Sequence, residues 1–273
     1  MENISSATKI DYAPGTKPNE TVVTIEPLYP GFGHTIGVAL RRVLLSSLEG
    51  GAVVAVKIKG AQHEFSTLPY VKEDVVDIIL NIKKLRFKVF SDETVKLTLK
   101  VRGEKDVVAS DIESTSEAEV ANPNSAICSL TNKNAQLEME LFIKKGRGYF
   151  PTEAREKEKL EIGTIAVDAL FTPIRNVGLQ VENVRVGQMT TYNKVIMNIE
   201  TDGSISVQDA LNSAATTLVG QFSALQGLVS GEKGVPEAAA DAFVENPEEV
   251  SEGEATGDEG DDNAKEPKKR GRP

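Results

Sequence analysis

Cysteine and histidine are nearly absent: the 273 residues include one cysteine and two histidines. A lone Cys128 excludes an internal disulfide and fits a reducing compartment. With Ile127 and Leu130 beside it, it reads as a small buried apolar residue. His34 and His63 have no cysteine or second histidine at ligand spacing, so neither anchors a metal centre. Glu64 adjoins His63, but neighbouring strand residues point to opposite faces, which argues against an acid–base pair. No cofactor and no catalytic residue are expected. Also missing is any apolar run of about 18 residues, so no membrane span is expected. The start, "MENISSATKIDYAPG", lacks the basic-then-apolar layout of a secretory leader. A cytoplasmic location follows as the expectation.

Excess positive charge is absent too. The net charge is −10, but it is unevenly spread. By count, residues 231–273 hold 13 acids and 6 bases, which leaves a balance of −3 for the first 230 residues. Nothing in that near-neutral body marks a nucleic-acid binder. The last stretch is acidic and rich in Gly, Pro and Ala, with Phe243 its one aromatic. Such a composition buries too little to order itself, so 231–273 is expected to be a disordered acidic tail.

What the chain does have is periodicity. Residues 1–18 read as a loose lead into a strand at "ETVVTIEPL", which is β-branched and alternating. "GAVVAVKIKG" sets Val54, Val56 and Ile58 against Ala55, Lys57 and Lys59, the pattern of a half-buried strand. "VKEDVVDIILNIKKL" repeats Val75, Ile78, Ile79 and Ile82 at helical spacing. "ETVKLTLKVRG", "LEMELFIKKGRG", "GLQVENVRVGQ" and "KVIMNIETDG" read as strands, and 110–135 as loops and short edges. A final helix starts at Ser206, with Asp209 at capping-box spacing. It carries Leu211, Ala214, Ala215, Leu218, Val219, Phe222 and Leu225.

"GFGHTIGVALRRVLLSSLEGG", residues 31–51, could be a phosphate loop or a helix that holds another protein. A dinucleotide loop needs G-x-G-x-x-G, and a P-loop ends in Gly-Lys-Ser/Thr. Here Gly31 and Gly33 are followed by Gly37, one position late, and no Lys-Ser/Thr follows. On a helical wheel of 34–49 at 100° per residue, Ile36, Ala39, Leu40, Val43 and Leu44 form an apolar face centred on Ser47. The opposite face carries Val38, Arg42, Leu45 and Glu49. A helix apolar nearly all round is covered on both sides, and arginine is enriched at interface centres. Isolated exposed apolar residues are common as well. Periodicity leaves both readings open.

In order along the chain stand "GFGHTIGVALRRVLLSSLEGGAVVAVKIKG", "HEFSTLPYVKEDVVDIILNIKKL", "GRGYFP", "VDALFTPIRNV", "VENVRVGQ" and "IETDGSISVQDAL". Over about residues 20–228 the sequence closely resembles the bacterial RNA polymerase alpha-subunit N-terminal domain. The resemblance implies an α+β fold of two subdomains. Residues 1–51 plus 166–230 would form a dimerisation subdomain, and 52–165 an inserted, mainly β subdomain with some helix. The implied role is a non-catalytic subunit: a homodimeric scaffold on which the large beta and beta' subunits assemble, with omega and sigma completing the enzyme at the nucleoid. Consistent with that, the chain has no clustered aspartate motif for two-metal nucleotidyl transfer. The implied dimer contacts are Ile36, Leu40, Val43, Leu44, Leu218 and Phe222. The implied large-subunit contacts are Val38, Arg42, Leu45, Lys83, Val167 and Asp168. A two-fold dimer presents each surface twice, so one copy can serve beta and the other beta'.

Two departures stand out. Val38 replaces the family's usual Asn. "TTYNKV" replaces two usual acids with Thr191 and Asn193, in a loop expected near a large-subunit contact. The family usually continues into a helical domain that binds AT-rich DNA, and no counterpart is seen in these 273 residues. Instead the sequence runs to "KEPKKRGRP". Lys268, Lys269, Arg270, Gly271 and Arg272 resemble an AT-hook core, in which arginines enter a narrow, electronegative minor groove. About 40 flexible residues span roughly 35 Å. A basic end that folds onto the acidic tract, or aids solubility, is the alternative. A free-standing architectural DNA-binding protein is the runner-up function, and a small-molecule enzyme with a Gly-rich site the third.

Overall fold

The computed structural model describes residues 7–155 and 161–230. The proposed DNA-contact residues Lys268 to Arg272 and the acidic tail lie outside them.

In chain order the elements are β1 (Lys9–Pro14), β2 (Glu20–Leu28), α1 (Phe32–Ser46), β3 (Glu49–Ile58), α2 (Val75–Ile82), β4 (Phe87–Val89) and β5 (Val95–Arg102). Then follow β6 (Lys105–Val108), β7 (Ile112–Glu113), β8 (Ala118–Val120), β9 (Ala126–Leu130), β10 (Gln136–Arg147) and β11 (Tyr149–Phe150). The last are β12 (Thr164–Ala166), β13 (Ala169–Leu170), β14 (Ile174–Val186), β15 (Met189–Thr201) and α3 (Val207–Ser230). Helices and antiparallel sheets together make the expected α+β class.

There are two main sheets, each with its own core. The first has strand order β1-β2-β15-β14. α1 and α3 complete its core, with Val23, Leu44, Val195, Met197, Ile199, Ala210 and Ala214 fully or almost fully buried. The second sheet runs β7-β5-β10-β3-β4-β8, with β12 also paired to β3. The α2 side chains Val75, Ile78 and Ile82 close its core, each 0% exposed. A small third cluster, Ala52, Val54, Ala169 and Phe171, packs with the half-buried Phe142 and Phe150.

The structure corrects several local expectations. β1 pairs antiparallel with β2 from Lys9 opposite Glu26 to Pro14 opposite Thr21, where a loose lead was expected. Every β1 residue is exposed, so no burial alternation marks it. β3 is buried on both faces over residues 51–56, Ala55 included, rather than half-buried. A register shift opposite Phe142/Ile143 interrupts its simple alternation, so Val53 and Val56 join the second core while Val54 joins the third.

α1 ends at Ser46 and sits differently from the predicted wheel. Its buried residues are Gly33, Gly37, Leu40 and Leu44, while Ile36, Ala39 and Val43 are only half-buried. The buried axis is rotated by roughly 60° from the face centred on Ser47, at 100° per residue. Glycine explains the shift. A Cβ on Gly33 would lie 2.8 Å from Val181 Cγ1 and from Asn193 Cβ, and one on Gly37 2.7 Å from Leu179 Cδ1. The glycines let α1 lie directly on β14 and β15. A wheel scored on apolar side chains gives them no weight.

Asn193 holds the start of that helix. Its Oδ1 accepts hydrogen bonds from Gly31 N–H at 2.9 Å and Gly33 N–H at 3.3 Å, two donors with no partner inside the helix. Asn193 is 8% exposed and lies within β15. It is therefore an internal cap on a strand, not a residue of a surface loop.

Candidate interaction surfaces

On α1 the side away from the sheet is apolar where water would favour polar groups. Val38 is 45% exposed and Leu45 36%, with the exposed Arg42 between them along the helix axis. Phe32, at the first turn, is also exposed and meets Tyr29 edge to face at 6.2 Å. Ile36 and Val43 form a third, half-buried strip along the flank. Leu40 and Leu44 are 7% and 0% exposed. Their side chains pack in the chain's own core.

α3 changes character along its length, about 36 Å at 1.5 Å per residue. Asp209 N–H donates to Ser206 Oγ at 3.1 Å, and Ser206 Oγ–H donates in turn to Asp209 Oδ2, so the expected pair does cap the start. Val207, Ala210, Leu211 and Ala214 are buried. Past Leu218, which is half-buried, the stripe continues on exposed positions: Phe222 is 62% exposed and Leu225 57%. The spacing of threes and fours does not break where the core stops.

A third surface lies beside α2. Lys83 Nζ donates to Asp168 Oδ2 at 2.9 Å, although 85 positions separate them. Asp168 Oδ1 also accepts from Thr152 N–H at 3.0 Å. These two contacts, Lys83 first, hold the Asp168 carboxyl down to about 2. The pair borders an open cavity of about 550 Å³, also lined by Val76, Ile79, Leu80 and Phe65. Phe65 is 77% exposed and Leu80 49%. Val167 also lines it, is 2% exposed and packs with the second core. Val76 and Leu80 went unread in the sequence. They give α2 a second apolar stripe at i, i+4, the same signal that marked Val38 and Leu45.

His63 and Glu64 line this cavity as well. They lie in a turn after β3, not in a strand, so the opposite-face argument does not apply to them. His63 Nδ1 sits 3.4 Å from Ser66 Oγ. Cys128 is 4% exposed, and burial, reinforced by the Glu73 charge, pushes its thiol up to about 12. Among the described residues no helix is long and apolar enough to cross a membrane.

Residues 56–172 match the family model of the RNA polymerase Rpb3/RpoA insert domain. Two relatives are the DNA-directed RNA polymerase subunits alpha of Roseiflexus sp. (strain RS-1) and Roseiflexus castenholzii (strain DSM 13941 / HLO8). Each is 49% identical over 195 residues, which is 71% of this chain and 60% of the relative. The chain thus aligns with about 60% of the length of these relatives. The insert match falls on the strands and helix of the second core, and the chain belongs to the DNA-directed RNA polymerase alpha-subunit family.

Proposed function

We propose that this chain is a non-catalytic scaffold of a DNA-directed RNA polymerase. It pairs with a second copy of itself, and the dimer collects the beta and beta' subunits, with omega and sigma in the complete enzyme. The observation that carries the reading is that α1 is buried on one side and apolar on another. Val38 and Leu45 flank Arg42 along the helix, and all three are exposed among the described residues. An arginine between two apolar side chains can anchor a partner through its fork of donors while its neighbours exclude water.

Self-association would use the outer half of α3 with the flank of α1. Leu218, Phe222, Ile36 and Val43 are the side chains available for it, while Leu40 and Leu44 back them from the core. Large-subunit contact would use Val38, Arg42 and Leu45 on α1 and the Lys83–Asp168 pair beside α2, with Val167 beneath it. Residues 1–51 with 166–230 act as the dimerisation subdomain and 52–165 as the insert. The two separate cores support that division, with Val167 packing on the insert side. The basic run Lys268, Lys269, Arg270, Gly271 and Arg272 is assigned a weak, salt-sensitive contact with AT-rich DNA. Deleting residues 268–273 and footprinting AT-rich upstream sequence tests that contact, and unchanged protection refutes it. The scaffold reading is tested by affinity capture of the tagged chain from its own cells. Stoichiometric beta and beta' subunits are expected, and a homodimer alone contradicts it.

A further inference from the structure

Arg86 occupies the turn between α2 and β4, and its side chain is only 14% exposed. Its main chain is pinned from two directions: N–H donates to Asn122 Oδ1 at 2.8 Å, and its carbonyl accepts from Ala121 N–H at 2.8 Å. One end of the guanidinium, Nη1, donates to the carbonyls of Lys83 and Leu85, both at 2.9 Å. All four of these partners belong to the second core's side of the molecule. Nε has no hydrogen bond. It lies 3.5 Å from Asp202 Oδ2.

Asp202 belongs to the other side. It follows β15, its side chain is 4% exposed, and its N–H donates to the carbonyl of Pro173. Oδ1 is used locally, accepting from Ser204 N–H at 2.9 Å and from the Ser204 hydroxyl. Oδ2 is left for Arg86. Burial pushes the Arg86 guanidinium pKa down, the Asp202 charge opposes that, and Arg175 on β14 adds to it. A largely buried cation and a buried anion, each hydrogen-bonded within its own side, thus meet across the boundary. Two such ions are costly to desolvate and are a poor route to stability as such. What they supply is a single relative placement, since any slip of one core leaves both charges buried and unpaired.

We propose that Arg86–Asp202 is a lock between the two cores: it fixes the insert against the sheet that carries α1 and makes the two unfold as one unit. Under the scaffold reading, the lock also holds Arg42 and Lys83, which lie on opposite sides of it, in one fixed relation. The lock itself does not depend on that reading, and its test involves no partner subunit.

The test is scanning calorimetry of the whole 273-residue chain alone, with Cys128 alkylation as a reporter of second-core opening. The wild type is expected to unfold in one transition. R86M and D202N are expected to resolve into two, with alkylation following only one of them. Asn at 202 keeps the acceptor for Ser204 while removing the charge, so D202N carries the test if R86M does not fold. R86K, which keeps the cation, is expected to retain one transition. A single transition at a merely lower midpoint in R86M and D202N overturns the lock. So do two transitions in the wild type, or a split in R86K, which would assign the effect to the lost carbonyl contacts.

Discussion

Asn193 carries more of the α1 geometry than its neighbours do. It satisfies two N–H groups at the start of the helix from a strand 160 positions away. Replacing it with Ala removes both bonds, and with them the one its Nδ2 donates to Asn183 Oδ1 at 3.3 Å; the cost is expected to be about 1 kcal/mol, typical of a lost cap, measured by urea unfolding. N193D restores the acceptor and adds a negative charge at a helix N-terminus. It is expected to be more stable than N193A at pH 7.

Asp168 gives a pH signature. Its folded pKa, about 2, lies below the unfolded value of about 3.9. Its contribution is therefore complete above the unfolded value and is lost as the pH falls through the folded one. The side chains of the pair are 34% and 28% exposed, so solvent screens it and about 1 kcal/mol is a fair expectation. The stability gap between wild type and D168N is expected to be present at pH 7 and largely closed near pH 2. Cys128, with its thiol pushed up to about 12, is expected to resist alkylation at pH 8 until the second core opens. A rate that matches global unfolding in denaturant supports this.

Among the elements, α3 shows how one pattern can serve two purposes. Leu211, 8% exposed, and Phe222, 62% exposed, sit on the same stripe. L211A is expected to lower the stability of each protomer by about 2–4 kcal/mol through a core cavity. F222D is expected to leave the protomer folded but to shift the sedimentation mass from dimer toward monomer. A dimer unaffected by F222D would remove α3 from the proposed interface. Elements on which burial imposes a period were legible in the sequence: β5, β10, β15 and both long helices stand close to their predicted places. β1 was not, because it is an exposed edge whose residues need no alternation. The exact seat of α1 was not, because Gly33 and Gly37 act through the room they leave. The Lys83–Asp168 and Arg86–Asp202 pairs were not, because nothing local marks the partner of a charge more than 80 positions away.

At the scale of the whole molecule, the described residues expose three apolar surfaces: the outer side of α1, the outer half of α3 and the cavity beside α2. Exposed apolar surfaces of this kind commonly mark sites of protein–protein contact. The surfaces lie on different elements, so self-association and capture of larger chains can be separated by mutation.

The most direct measurement is therefore to tag the wild type and R42A and to quantify, from equal amounts of each, the beta and beta' subunits recovered and the sedimentation mass of the free chain. The account predicts that R42A remains dimeric while recovery of the large subunits falls by at least tenfold, the loss expected for truncating an interface anchor worth about 1.4 kcal/mol or more. Undiminished recovery with R42A, or a wild-type chain that sediments as a monomer, would contradict it.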